Sequence, residues 1–312
     1  MSAPRRARLK ALAKINLDLR VLGKRPDGYH ELRTIFQTIS LADTIDIAFT
    51  PARRTSIELS DAWNIPDNLM VRAARLALDA MRVTGKIEMH LTKRIPMGAG
   101  LGGGSSDAAA VLLTLPALAG RILPLERLCE LSAQLGSDLT FFLLGGAAAG
   151  IGRGTELFPL PDQPARPGLL VAPGVAVSTS DAYRRLSPRL TTESQQNKIF
   201  SFTPQVWAGG LGESGRNDFE AVVFQQHPRL AAIKRQLQRS GAAPALMTGS
   251  GSAVFGLFRT RSEVSVALAA LEKEKAFRIS LVSRARYRGI WWRALKEHIV
   301  PKLWPPQSRY AP

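Results

Sequence analysis

Apolar and polar residues alternate along several stretches of the chain, and this period of two predicts β-strands. In the first half of the chain, strands are expected within LKALAKINLDLRVL, ELRTIFQTISL, DTIDIAF, TSIEL and KIEMHLTKRIP. In the second half, they are expected within GLLVAPGVAVSTS and on both sides of the turn in APALMTGSGSAVFGLF.

A period near 3.6 residues predicts helices between these strands. One lies in DNLMVRAARLALDAMRVTG, with Asp67 or Asn68 as its cap and Gly85 as its expected stop. Further helices are predicted in SSDAAAVLLTLPALAG, PLERLCELSAQLG, NDFEAVVFQQ, PRLAAIKRQLQRSG and RSEVSVALAALEKE. The polar stretch 190–216 is expected to be a long surface loop. Strands that alternate with helices indicate an α/β (α+β) protein.

Four prolines fall within residues 159–168, a composition typical of a linker. A chain of 312 residues also exceeds the usual size of one domain. We therefore expect an N-terminal domain over residues 1–165, a C-terminal domain over residues 166–283, and a basic, aromatic tail over residues 284–312.

The tail carries Ile290, Trp291, Ala294 and Leu295 near one side of a short predicted helix, with basic residues between them. An apolar helix face is usually covered by the protein's own core, so we expect the tryptophans to pack against the C-terminal domain. The alternative is weak contact between this segment and an anionic membrane surface.

The formal net charge of +17 raises the question of a nucleic-acid partner. Residues 1–10 hold four basic residues and no acidic one, and residues 282–312 hold seven basic residues against one glutamate. The two ends thus supply ten of the seventeen net charges. Because the excess is mostly terminal, it predicts a solvated surface and no nucleic-acid partner.

Composition excludes several other classes of protein. With 45% hydrophobic and 21% charged residues, the chain can bury a core and resembles neither a disordered nor a fibrous protein. The longest uncharged run in its middle, LTFFLLGGAAAGIG, is too short and too rich in glycine to span a bilayer. Polar residues in AKINLDL interrupt any signal-peptide core. A single cysteine, Cys129, rules out an intrachain disulfide, and these features together predict a cytoplasmic protein.

The stretch PMGAGLGGGSSD, residues 96–107, places five glycines directly before a predicted helix. The start of a helix has unpaired N–H groups and a partial positive charge, and glycines let the backbone fold closely round an anion. The stretch therefore predicts a nucleotide-phosphate loop. It also contains the dinucleotide pattern G-x-G-x-x-G, but Glu126 and Glu130, the nearest candidate ribose-binding acids, fall inside a helix. A Walker loop is excluded because no glycine-lysine-serine or glycine-lysine-threonine triplet follows.

PMGAGLGGGSSDAA resembles the phosphate-binding motif of the GHMP kinase superfamily, whose members transfer phosphate from ATP to small alcohols. AKINLDLRVLGKRPDGYHEL, residues 13–32, is similar to the N-terminal signature of one family within it, which phosphorylates a cytidine diphosphate alcohol of the non-mevalonate isoprenoid pathway. NLMVRAARLAL, GSDLTFF and MTGSGSAVFG match the same family in the same order. The resemblance implies a two-domain GHMP kinase fold, with an N-terminal ribosomal S5 domain 2-like domain and a C-terminal ferredoxin-like α/β sandwich around a shared cleft.

The resemblance implies that Asp138 accepts the proton of the substrate hydroxyl and that Lys14 orients this carboxylate. Phosphoryl transfer needs positioning, neutralised charge and help in deprotonating the alcohol, and a carboxylate beside an ammonium meets these needs. Asn16 lies two residues after Lys14 on the same face of a strand, and its implied role is substrate binding. From the residues alone, Asp138 would be an ordinary turn aspartate.

ATP is the implied phosphate donor, and Mg²⁺ is expected to accompany it. Kinship places Asn68 near the adenine, although this residue is equally suited to capping a helix. The expected phosphate contacts are the loop residues Pro96, Gly98, Gly100, Leu101, Gly102, Gly103, Gly104, Ser105 and Ser106. Ser106 is also the expected magnesium ligand. The four histidines lack the spacing of a metal site.

The implied small-molecule substrate contains cytidine, and DGYHE offers an aromatic ring beside a polar side chain. By resemblance, Tyr29 stacks on the cytosine and His30 bonds its edge, while Thr179 and Tyr183 approach from the C-terminal domain. Tyr29 and Tyr183 are then expected to sandwich one cytosine ring.

The segment TGSGS resembles the last glycine motif of the superfamily, and its residues alone also fit a hairpin turn. Gly249, Ser250 and Gly251 are expected to close on the phosphate side of the substrate.

Two alternatives remain open. Another kinase of the superfamily could act on mevalonate or homoserine, although DGYHE speaks against it, and an RNA-binding protein could share the N-terminal fold and the basic ends.

Overall fold

The computed structural model describes residues 3–190 and 215–299, together with Gln196, Lys198, Phe202, Pro305 and Pro306. Within these ranges, the strands form two separate sheets of six and four strands. No helix found there combines the length and the apolar character that crossing a membrane requires.

The first sheet has six strands, and one long strand in its middle pairs with others along both of its edges. Its members are β1 (Arg5–Lys24), β2 (His30–Pro51), β3 (Ser56–Asp61), β4 (Gly85–Thr92), β5 (Ala147–Gly152) and β6 (Glu156–Pro159). β1 pairs with β2 along one edge, while β4 and β5 follow each other along the opposite edge, with β3 beyond β4 and β6 beyond β5. The two strands predicted at 31–41 and 43–49 are therefore one, because both pair with β1 without a break in the chain.

Four helices share a core with the first sheet. They are α1 (Leu69–Met81), α2 (Gly103–Ala119), α3 (Leu125–Ala133) and α4 (Leu139–Leu144). Asn68 caps α1 as predicted, since its side chain accepts a hydrogen bond of 3.0 Å from the backbone of Met70. The predicted stop at Gly85 is wrong: Arg82 adopts a left-handed conformation, φ 53°, that ends the helix. Gly85 instead starts β4, where any Cβ would come within 2.5 Å of the Phe49 ring.

The second sheet follows the proline-rich stretch that joins β6 to the next strand. Its strands are β7 (Pro167–Val171), β8 (Ala245–Met247), β9 (Val254–Leu257) and β10 (Ala276–Ser280), in the antiparallel order β10-β7-β9-β8. The strand predicted in GLLVAPGVAVSTS thus ends early, at Val171. Most of the loop predicted at 190–216 lies outside the described residues.

In the described part of the second half, the α-helices with defined bounds are α5 (Thr179–Leu186), α6 (Glu220–Gln226), α7 (Pro228–Arg239), α8 (Arg261–Ala270) and α9 (Arg284–Leu295). The first four pack with the second sheet. The tail helix α9 does not: Tyr287, Trp291 and Leu295 are buried in the core of the first sheet. The expectation that the tryptophans pack against the C-terminal domain is therefore wrong.

The chain returns to the first sheet immediately before α9. The backbone N–H of Val282 donates to the carbonyl of Thr38 in β2, at 2.9 Å, and this contact directs the helix toward the N-terminal core. Beyond the helix, His298 Nε2 lies 2.8 Å from the carbonyl oxygen of Arg6. The first strand and the last described helix are thus neighbours.

Candidate active site

A cleft of about 1120 Å³ lies between the two sheets and their loops. It brings together most of the predicted site: Lys14, Asn16, Tyr29, His30, Gly98, Gly100, Gly102, Ser105, Asp138, Thr179, Tyr183, Gly249, Ser250 and Gly251. A pocket of about 390 Å³ adjoins it at the glycine loop and adds Asn68, Pro96, Leu101, Gly103 and Gly104. Ser106 lines neither space.

A row of buried polar side chains runs along β1. Lys14, Asn16, Asp18 and Arg20 alternate with apolar residues and are each at most 3% exposed. They satisfy one another: Lys14 Nζ donates to Asn16 Oδ1 at 2.8 Å, and Arg20 Nε donates to Asp18 Oδ1 at 2.7 Å. Asn16 also donates to Thr34 Oγ1, at 2.7 Å, on the neighbouring strand. Because buried charges are costly unless paired, this row holds its side chains in fixed positions.

Lys14 and Asp138 form an ion pair at the wall of the cleft. The distance from Lys14 Nζ to Asp138 Oδ2 is 3.5 Å, and the ammonium also lies 5.3 Å from the centre of the Phe36 ring. Asp138 stands directly before α4, and its side chain makes no capping bond to that helix. Its carboxylate therefore stays available to a molecule in the cleft.

The glycine loop places the start of α2 at the junction of the two spaces. Gly98, Gly100 and Gly102 have φ of 64°, 76° and 68°, a region that favours glycine. At Gly100, a Cβ would come within 2.2 Å of the carbonyl oxygen of Thr248, on the other side of the cleft. The loop can thus approach the second sheet only because this residue lacks a side chain.

Ser106 lies apart from both spaces, and the roles predicted for it stay predictions. Its side chain is buried, and its hydroxyl donates to the carbonyl of Leu12 at 2.7 Å, which fixes α2 to β1. Ser105 lines both spaces instead and is the serine that a phosphate or its counterion would meet. A run of two serines at a helix start does not reveal which one faces inward, because the answer depends on the helix rotation.

Sequence reasoning missed a buried ion cluster beside the loop. Lys93 Nζ lies 2.6 Å from Asp43 and 2.8 Å from Asp107, and both Lys93 and Asp107 line the smaller pocket. Burial raises the pKa of Asp107 to about 7, although the charge of Lys93 acts in the opposite direction. Asp43 also accepts the backbone N–H of Ile95, at 2.8 Å, and so fixes the strand end from which the loop departs. In the sequence, Lys93 falls within a predicted strand and gives no signal of this pairing.

The far end of the cleft is aromatic. His30 stacks on Tyr183 with 4.4 Å between ring centroids and 19° between planes, and its Nε2 lies 2.9 Å from Ser187 Oγ. Burial, and then the charge of Lys24, lowers the pKa of His30. His30 covers one face of the Tyr183 ring. The sandwich of a cytosine between Tyr29 and Tyr183 stays a prediction.

Tyr29 is 52% exposed, and its ring is partnered by a residue that the sequence did not indicate. The guanidinium carbon of Arg153 lies 3.5 Å from the centre of this ring, a cation–π contact. Both side chains line the cleft. Arg153 lies far from Tyr29 in sequence, so only the pairing of β5 with β2 could have revealed it.

The loop after β8 closes the cleft from the second sheet. Asn16 Oδ1 accepts the backbone N–H of Gly249 at 3.0 Å, and Ser250 Oγ lies 2.7 Å from Thr179 Oγ1. Asn217 Nδ2 donates to the carbonyls of Met247 and Gly249, at 2.7 and 2.8 Å. The β1 row thus contacts this loop directly, and the loop is held in one conformation.

Comparison with known proteins agrees with this architecture. The model of the GHMP kinases N terminal domain matches residues 68–146, and that of the GHMP kinases C terminal matches residues 204–276. The chain is 67% identical, over the full length of both proteins, to a 4-diphosphocytidyl-2-C-methyl-D-erythritol kinase of Solibacter usitatus (strain Ellin6076). It is 40% identical to a protein of the same name from Bacillus cereus (strain AH187), over 80% of this chain and 87% of that one.

Solved structures give the same result. A crystal structure of 4-(cytidine 5'-diphospho)-2C-methyl-D-erythritol kinase superposes with a TM-score of 0.74 and 36% identity, over 88% of this chain and 98% of that one. A homoserine kinase from Cytophaga hutchinsonii has a TM-score of 0.70, 17% identity, and coverage of 91% and 97%, and it shows the fold alone. The predicted two-domain GHMP kinase fold is confirmed. This chain belongs to the 4-diphosphocytidyl-2-C-methyl-D-erythritol kinase family of the GHMP kinases.

Proposed function

We propose that this chain transfers the γ-phosphoryl group of ATP to the 2-hydroxyl of 4-diphosphocytidyl-2-C-methyl-D-erythritol. The observation that carries the proposal is the position of the Lys14–Asp138 pair in the cleft, which the glycine loop and the His30–Tyr183 stack also line. A kinase needs a phosphate cradle, a group that accepts the hydroxyl proton, and a site for the rest of the alcohol. One cleft supplies all three.

ATP binds with its phosphates along the glycine loop. The first residues of α2 line the smaller pocket, and the unpaired N–H groups and dipole of a helix start favour negative charge there. Asn68 lines the smaller pocket together with Ile65 and Leu69, which suits an adenine ring. Its side-chain oxygen already caps α1, so its amide N–H₂ is the group that meets the base.

Asp138 accepts the proton as the substrate hydroxyl attacks. Lys14 holds the carboxylate in place and counters the negative charge that develops on the oxygen. Asn16 accepts a hydrogen bond from Lys14 and so fixes the ammonium. Phosphoryl transfer demands little covalent participation from the protein, and most of the acceleration comes from this positioning and charge compensation.

Mg²⁺ bound with ATP supplies neutralisation of the phosphate charge. Among the described residues, no three histidine, cysteine, aspartate or glutamate side chains cluster as a ready metal site. That fits Mg²⁺, which keeps several waters and takes few protein ligands beside phosphate oxygens. The Ser105 hydroxyl, at the cleft wall, is the side chain that would hold it beside the phosphate oxygens.

The cytidine end of the substrate binds at the aromatic end of the cleft. Tyr29 offers an exposed ring for stacking, and His30 offers an imidazole to the base edge. Arg153 supplies positive charge beside Tyr29, which suits a diphosphate. Mevalonate and homoserine contain no nucleobase, so the aromatic end of the cleft would serve no purpose in kinases of those alcohols. The RNA-binding alternative has only the basic chain termini and the shared N-terminal fold in its favour. The cleft provides no further support for that role.

A coupled assay of ADP release tests the proposal. The purified chain is supplied with ATP, Mg²⁺ and in turn the cytidine diphosphate alcohol, mevalonate, homoserine or no acceptor. We expect turnover with the first alone, and a kcat at least about a hundredfold lower when Asp138 is replaced by asparagine. Equal turnover with an alcohol that lacks cytidine would refute the proposed substrate. A cytoplasmic location and the absence of a nucleic-acid partner stay predictions.

A further inference from the structure

The tail helix α9 touches the short helix that follows the catalytic aspartate. The hydroxyl of Tyr287 donates to the carbonyl oxygen of Phe142 at 2.5 Å, and both groups are buried. Phe142 belongs to α4, and Asp138 stands at the start of the same helix. Helix termini leave carbonyls without partners, and Tyr287 satisfies one of those at the end of α4.

The turn after α4 is shaped to receive α9. A Cβ on Gly145 would lie 2.2 Å from Tyr287 Cδ1, and a Cβ on Gly146 would lie 2.7 Å from Arg284 Cβ. The side chain of Arg284 donates to the carbonyls of Ala147 and Leu160. The two glycines thus allow an approach that no other residue type permits, and α9 is seated directly on the turn that ends α4.

α4 and the catalytic lysine approach the same glycine of the phosphate loop, and Phe36 lies between them. Phe142 Cζ lies 2.8 Å from the position that a Cβ on Gly102 would take, and Lys14 Cγ lies 3.3 Å from that same point. The rings of Phe141 and Phe36 are 5.1 Å apart, and Lys14 Nζ stands over the Phe36 ring. A shift of α4 would therefore move Asp138 and disturb the support of Lys14 together.

We propose that Tyr287 is a positioning residue for the kinase reaction, which it serves by fixing α4 and hence the distance between Asp138 and Lys14. The inference rests on the proposed function. A helix of only six residues has little stability of its own, so its placement depends on tertiary contacts. Small displacements of a reacting group are costly, since an error of about 1 Å can reduce the rate about a hundredfold.

Tyr287→Phe removes the hydroxyl and keeps the ring. We expect kcat to fall at least about fivefold at a temperature where the variant is fully folded, with KM for ATP and for the alcohol nearly unchanged. Leu295→Ala is the matched control, because this residue is buried in the same helix and core. It should lower the melting temperature and leave kcat as in the parent.

A double-mutant cycle with Asp138→Asn separates positioning from general damage. If Tyr287 acts through Asp138, Tyr287→Phe should cost almost nothing further in kcat once that carboxylate is gone. A purely structural role would lower kcat by the same factor in both backgrounds, and that result would overturn the inference. Unchanged kcat in Tyr287→Phe alone would overturn it as well.

Should Tyr287→Phe fail to fold, Ser283→Ala provides a milder perturbation. The Ser283 side chain caps α9 by accepting the N–H of Arg286 at 3.1 Å. Loss of this cap should loosen the start of the helix, where Tyr287 lies. We expect the same pattern in kcat and KM, with a smaller amplitude. An inactive parent chain would signal failure of the proposed function, whereas an active parent with unaffected variants would signal failure of this inference alone.

Discussion

The ammonium of Lys14 lies 3.5 Å from the carboxylate of Asp138, and the two side chains differ sharply in exposure. The side chain of Lys14 is 4% exposed, whereas that of Asp138 is 34% exposed. The cation is anchored by Asn16 within the protein, and the carboxylate faces the cleft. The pair therefore has one fixed member and one member that can meet a substrate hydroxyl.

Replacing Asp138 by asparagine should lower kcat about a hundredfold or more, because the amide keeps the shape but cannot accept the proton. KM for ATP and the melting temperature should stay close to those of the parent. Steady-state kinetics of ADP release measure the effect. Asp79→Asn, an exposed carboxylate on α1, is the control and should be fully active. Near-normal turnover of Asp138→Asn would refute its role.

Alanine at Gly100 should destabilise the protein much more than alanine at Gly98. Both glycines have positive φ, so each substitution carries a conformational cost of about 1–2 kcal/mol. Only at Gly100 does the new Cβ meet another group, the Thr248 carbonyl at 2.2 Å, whereas nothing lies within 4 Å at Gly98. Thermal unfolding of the two variants without ligands makes the comparison. Equal melting temperatures would show that the loop and the second sheet do not press together here.

Tyr29→Ala should raise KM for the cytidine substrate about ten- to a hundredfold, since stacking on an aromatic ring is worth about 1–3 kcal/mol per base. The contact is made equally in ground and transition states, so kcat should change less. Tyr29→Phe keeps the ring and should bind nearly as well as the parent. If Tyr29→Ala leaves this KM unchanged, the base binds elsewhere.

The contribution of His30 to stability should depend on pH. Burial and Lys24 lower its pKa, so the folded protein favours the neutral imidazole. Below the ordinary pKa of about 6.5, the unfolded chain takes up the proton more readily, and stability from His30 declines as pH falls. His30→Gln should therefore be less destabilising at pH 5 than at pH 7. Melting temperatures at both values test this, and an equal effect of the substitution at pH 5 and pH 7 would contradict it.

Trp291→Ala should cost about 3–5 kcal/mol of unfolding free energy, the range for losing a large buried side chain. The residue is 2% exposed within the first core, whereas its neighbour Trp292 is only half-buried and serves as the control. Chemical denaturation measures both. Unchanged stability of Trp291→Ala together with lost binding to anionic vesicles would favour the membrane alternative for the tail.

Local patterns predicted the parts of the site that local physics determines. The period of two along β1 placed Lys14 and Asn16 on one face, and the glycines before α2 indicated a phosphate loop. Asp138 carried no signal of its own, and only the family resemblance pointed to it. The domain division at residue 165 stays a prediction.

The parts of the site that the sequence did not predict are contacts between residues that lie far apart in the chain. The stack of His30 on Tyr183 and the contact of Lys93 with Asp107 depend on how elements pack after they form. The helical period of the tail was visible, but not the core that it would join, because an apolar face does not specify its partner. Tertiary packing alone placed α9 against the first sheet.

The return of α9 to the first sheet has a consequence for the order of folding during synthesis. The core of the first sheet includes Trp291 and Leu295. Until these residues leave the ribosome during synthesis, the apolar surface that they cover in the folded protein is exposed. The second sheet lies entirely between the two parts of the first core in chain order. The second sheet can therefore form on the ribosome before the N-terminal core is complete. The tail helix α9 is the last element to pack into that core.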